Sequence, residues 1–100
     1  MPASDGASIL RPRLPMDRDL GAAPCGFRGR ILGIRPIASA GLTAEEMERR
    51  LLELGFVEGA AVEILHQGLF GRDPIAVRVE ATTIALRRSE AAAILVGPRD

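Results

Sequence analysis

The chain has no lysine, no tryptophan and no tyrosine, one cysteine, one histidine and no net charge. Each shortage removes or weakens a class of function. With Cys25 as the only cysteine, no internal disulfide framework can form, which fits a reducing compartment. With His66 as the only histidine, a histidine-rich metal cluster is excluded, and no nucleophile–base pair stands out for an enzyme. The three phenylalanines are the only aromatics. They supply poorly the stacking platforms of a nucleic-acid-binding barrel, and the absence of tyrosine and tryptophan lowers the case for a peptide-binding groove with its aromatic wall. Thirteen basic residues balance thirteen acidic ones, so neither bulk nucleic acid nor an anionic bilayer is favoured as a partner. No run approaches the roughly 20 apolar residues that span a bilayer. Ile9 and Leu10 stand among polar residues and prolines, so the N-terminus lacks the apolar centre of a secretory signal. The expectation is a soluble cytoplasmic protein.

What remains is a single-domain length with an ordinary apolar fraction. Residues 1–19 carry Pro2, Pro12 and Pro15 without a sustained period and read as a flexible tail, leaving 20–100 as the folded domain. Phe27 to Ile34 reads as a first strand that Pro36 ends. Thr43 with Glu46 three positions later is a capping-box signature, and Met47, Leu51 and Leu54 recur at helical spacing behind it. The helix is therefore expected over about 43–54, with Gly55 as its left-handed cap and Phe56 packing back on its end. Beyond it, Val62, Ile64 and His66 fall on one face of a strand, and Gln67 to Pro74 reads as a polar, glycine-bearing loop. Ile75, Val77 and Val79 alternate with polar residues, Thr82 and Thr83 read as a tight connection, and Ile84 and Leu86 begin another inward face. Ser89 is placed to cap one helical turn near 89–93, before a closing strand, Ile94 to Val96. The fold class is mostly β: about five short strands and one main helix in a small, partly open barrel.

The residues able to carry chemistry are few. A weak metal site would combine His66 with Glu63, Asp73 or Glu80, binding iron, manganese or zinc, although these carboxylates lie on different strands or faces. Asp73 before Pro74 has a simpler role, folding its side chain onto its own backbone in the turn. Cys25, between Pro24 and Gly26, reads as an incidental cysteine in an exposed turn. Arg87 and Arg88 are adjacent and point to opposite sides, so one braces the following turn and the other can meet a partner. Arg49 and Arg50 on the helix are further contact candidates. Leu69 and Phe70 are the most informative pair: large apolar side chains beside glycines either fold inward or meet a partner.

The run from Arg50 to Val96 contains LLELGF, the turn glycine Gly59, VEI, the Asp73-Pro74 pair, IAVRV and IALRRSEAAAILV. In order and spacing it resembles the FeoA family of bacterial ferrous iron transport, over roughly Leu20 to Val96. Glu58 stands where that family usually carries proline. The resemblance implies an SH3-like barrel of the kind also found at the C-terminus of diphtheria-toxin-repressor-type metalloregulators. It implies a non-enzymatic accessory protein that binds the cytoplasmic GTPase part of the FeoB membrane transporter and requires no cofactor. Such a protein sits at the inner membrane only through its partner, without inserting, and can form homo-oligomers. The alternative is a free-standing regulatory module that binds a transition metal or a peptide. Nothing before Leu20 resembles a helix-turn-helix reader, which argues against a whole repressor.

Overall fold

The computed structural model describes residues 18–39 and 41–98, so the tail expected over residues 1–19 lies almost wholly outside the described residues. Six strands form one antiparallel sheet: β1 (Arg18–Asp19), β2 (Arg28–Ile34), β3 (Ala61–Phe70), β4 (Asp73–Val79), β5 (Thr82–Leu86) and β6 (Ile94–Pro98). Their spatial order is β1-β6-β2-β3-β4-β5. The two-residue β1 falls inside the stretch assigned to the tail and pairs Arg18 with Val96 and Asp19 with Leu95. A 3-10 turn (Leu20–Ala22) follows it, capped where Asp19 Oδ1 accepts from the Ala22 N–H at 2.9 Å.

Helix α1 (Ala44–Glu53) forms where the sequence places it. The Thr43 hydroxyl accepts from the Glu46 N–H at 3.1 Å and Glu46 Oε1 accepts from the Thr43 N–H at 2.8 Å, so both arms of the capping box are made. Gly55 takes the left-handed conformation at φ 108° that ends the helix, and Phe56 is fully buried against it. Met47 and Leu51 join Val62, Ile64, Val77 and Val79 from the sheet in the core.

β3 organises the barrel. It pairs with β2 only over Ala61–Glu63, then continues alongside β4 to Phe70. Its alternation breaks at Leu65. Ile64 opposes Val77 but His66 opposes Ala76, so one extra residue is inserted in β3 there. That bulge turns His66 away from the Val62–Ile64 face, and the side chain is exposed instead of in phase with them. The expected Gln67–Pro74 loop is likewise strand on both sides of a two-residue turn, Gly71-Arg72. Residues 66–70 show no inside–outside pattern because the end of the hairpin offers little inside. The next connection is Glu80-Ala81, two residues earlier than expected, and Thr82 already pairs with Val79.

The short helix α2 (Arg88–Ala91) also starts two residues earlier than a turn capped by Ser89 would, with Arg87 at the cap position. Its opening is set by Glu90 Oε1, which accepts from the Arg87 N–H at 2.9 Å, and Ser89 makes no cap. Arg88 then ties three separate parts of the chain together. Its Nη1 donates to the carbonyls of Gly21 at 3.0 Å and Ala23 at 2.8 Å. Its Nε donates to the Arg72 carbonyl at 2.9 Å and its Nη2 to Gln67 Oε1 at 3.1 Å. Its backbone N–H donates to Asp73 Oδ1 at 2.8 Å. Asp73 thus caps across to α2 and does not fold onto its own turn.

Arg88→Met should cost about 3 kcal/mol in chemical denaturation, since carbonyls of the N-terminal turn lose a charged donor. Arg88→Lys should not restore it, because one ammonium cannot span four acceptors in a planar fork. Thr43→Ala should cost about 1 kcal/mol. The Thr43 backbone N–H, then its side chain, holds the Glu46 carboxyl below its ordinary value of 4.5. A depressed folded value means that the Glu46 contribution is complete above that ordinary value and fades as pH falls through the lowered one. Glu46→Gln should therefore flatten the acid limb of a stability–pH curve and leave its neutral plateau shape unchanged.

Candidate functional site

The β3–β4 hairpin projects past the part of β3 that β2 covers, and its end is built by local rules. Phe70 pairs with Asp73, and the two residues between them, Gly71 and Arg72, have φ of 66° and 61°. Positive φ at both positions is the type I′ turn, whose twist matches the strands it joins. Leu69 and Phe70 sit immediately before it, 95% and 88% exposed. They do not fold inward. A second register irregularity between Gln67 and Phe70 interrupts the alternation there, and the tip carries both apolar side chains in solvent. Full burial of each by a partner makes about 1.5–3 kcal/mol available.

Around the tip the structure separates cations that the sequence presents alike. Arg88 is committed to its internal bonds, which removes it as a free contact and makes it a brace that ties the hairpin's turn and Gln67 to the N-terminal turn. Arg87 is exposed and makes no side-chain bond among the described residues. Arg72, exposed in the turn itself beside Leu69 and Phe70, is a contact candidate that sequence reading passed over. Its signal was present as a Gly-Arg pair two residues long between strand residues. Arg49 and Arg50 are exposed on α1, a different element from the hairpin.

The four metal candidates are not brought together, and among the described residues no group of three histidine, cysteine or acidic side chains could hold an ion. Glu63 sits in a cross-strand row, 2.8 Å from Arg78 and 3.8 Å from Arg28. Asp73 accepts from Arg88, and Glu80 Oε2 accepts from the Ala61 N–H at 2.8 Å. His66 lines a shallow, mainly apolar groove of about 230 Å³ with Gln67, Gly68, Pro74, Ile75, Ala76 and Ala85. A second cleft, about 150 Å³, runs between Arg28, Glu63, Arg78 and Glu80, whose carboxylates already have donors. Cys25 is exposed in its turn, 3.7 Å from the Leu65 carbonyl. No described helix is long and apolar enough to cross a membrane.

Residues 18–98 match the FeoA domain family model. No curated protein sequence matches the chain significantly. Among solved structures, FeoA of Stenotrophomonas maltophilia, crystallised with zinc and described as a prokaryotic SH3-domain protein, is 33% identical at a TM-score of 0.64. That similarity covers 78% of this chain and 87% of that one. A FeoA-like protein of Clostridium acetobutylicum is 27% identical at a TM-score of 0.69, over 85% of this chain and 90% of that one. A manganese-dependent transcriptional repressor is 25% identical at a TM-score of 0.65, but the match covers only 44% of the repressor against 87% of this chain. The strand order and the helix before β3 are thus those of a small SH3-like domain, and the chain belongs to the FeoA family, which is linked to ferrous iron transport.

Proposed function

We propose that the chain is a non-enzymatic accessory protein of ferrous iron uptake that binds the cytoplasmic GTPase part of a FeoB-type membrane transporter and modulates its assembly or activity. The observation that carries this reading is the exposed Leu69–Phe70 pair on a hairpin whose turn and preceding strand are held by Arg88. Two large apolar side chains held in water on a braced support are anchors of the kind that dominate binding energy when a partner supplies a pocket. Arg72 and Arg87 add charge at and near the tip, and Arg49 and Arg50 extend the set of contacts on α1. The protein reaches the membrane through that partner from the cytoplasm.

A metal-sensing module has less support in this chain. An ion held by His66 with Glu63, Asp73 or Glu80 would have to displace Arg78, the Arg88 N–H or the Ala61 N–H from those carboxylates. Such a site is weak for iron, manganese or zinc alike, whatever the zinc-bound relative holds.

The test is capture of the transporter from detergent-solubilised membranes by the tagged protein, with ferrous iron and GTP present. Wild type should retain the transporter, and Leu69→Asp/Phe70→Asp should lose at least tenfold of it while remaining folded by circular dichroism. Equal capture by both proteins would move the interface away from the hairpin. Capture by neither, in every nucleotide state, would sink the accessory reading.

A further inference from the structure

The two edges of the sheet are treated differently. The β1 edge is two residues long and carries Arg18 and Asp19, the short and charged form by which sheets avoid pairing with strangers. The other edge, β5, is five residues long, Thr82-Thr83-Ile84-Ala85-Leu86, with no charge, no proline and no register shift against β4. Nothing among the described residues pairs with its outer side.

The alternation of an antiparallel ladder says which groups that outer side presents. Val79 and Thr82 close the two-residue connection, so Thr82, Ile84 and Leu86 turn their N–H and C=O toward β4. Thr83 and Ala85 therefore direct theirs outward, and both residues are exposed and small. We propose that β5 is a self-pairing edge: two copies of this chain join β5 to β5 in antiparallel fashion about a two-fold axis at Ile84, making one continuous sheet.

The choice of a second copy rests on self-complementarity. Centring on Ile84 puts Thr83 of each copy opposite Ala85 of the other, so all four outward donors and acceptors per pair of residues are matched at once. In that register no charge meets a like charge. Glu80 precedes the strand and Arg87 follows it, so each copy's Arg87 falls opposite Ala81 of the other, one residue from its Glu80 carboxylate. Shifting the register by two residues in either direction leaves one outward residue facing a turn or a strand end. An isologous contact of this kind closes as a dimer and leaves no further β5 edge exposed. The contact is small, so the dimer is concentration-dependent. It uses neither Leu69 nor Phe70 and does not depend on the transporter reading.

The experiment is sedimentation of the full chain from about 10 µM to about 1 mM, with residue-resolved amide exchange at both ends of that range, a span chosen to bracket weak association. The expected result is a shift from monomer to dimer, with the Thr83 and Ala85 amides gaining at least tenfold protection at high concentration while Thr82 and Ile84 stay protected throughout. Thr83→Lys and Ala85→Lys, both on exposed positions, should each leave the fold intact and return the protein to monomer. The proposal is overturned by a monomer across the whole range, by dimers that survive both lysine variants, or by protection of Thr83 and Ala85 that does not vary with concentration. That last result would mean that another segment of the same chain covers the edge.

Discussion

The guanidinium of Arg88 holds together parts of the barrel that the sheet alone leaves apart. The carbonyls of Gly21 and Ala23 belong to the N-terminal turn, Arg72 to the β3–β4 turn and Gln67 to the strand before it. None of these pairs is joined by strand pairing. A planar fork with several donors can satisfy acceptors in different directions at once, and its partial burial makes each bond worth more than at an open surface. The backbone N–H of the same residue, capped by Asp73, locks the start of α2 to the start of β4. One residue thus fixes the hairpin, the helical turn and the chain entry in a common frame.

That frame is what the proposed contact at the exposed tip requires. A hairpin end bearing two large apolar residues is a weak anchor if it sways, because a partner must then supply the ordering entropy. Here the strands are closed by a turn of matching twist, and the hairpin is bonded to two other elements. The second device is charge placement: Glu63 lies between Arg28 and Arg78 across three strands, so both arginines of that row have a counter-charge within the sheet. Among the described residues, the arginines on α1, at the turn and after β5 make no salt bridge of this kind.

Much of the fold was legible because local and tertiary preferences agree. Thr43, Glu46, Met47, Leu51, Gly55 and Phe56 each obey a rule that operates within a few residues, and the helix they predict is the helix observed. The alternations through Val62–Ile64 and Ile75–Val79 report burial on one face only. The sequence signal fails where burial stops being one-sided. At Leu65 a bulge changes phase without any glycine or proline to mark it, which displaced His66 to the wrong face. At the Glu80-Ala81 turn a glutamate adopts φ of 52°, a conformation that composition would assign to glycine or asparagine, so the threonines beside it looked like the turn instead. The role of Arg88 was only half visible. Adjacency to Arg87 showed that one of the two must brace the chain, but its acceptors lie up to 67 positions away and leave no local trace.

The placement of Leu69 and Phe70 also bears on how the surface can change over generations. Because both side chains stand outside the core, substitutions at these two positions are released from the packing constraints that govern Ile64 or Val77. On the proposed transporter contact, recognition and foldability are therefore separate traits in this molecule. A lineage can retune what the tip grips, following drift in whatever it grips, while drawing almost nothing from the few kilocalories that keep so small a domain intact.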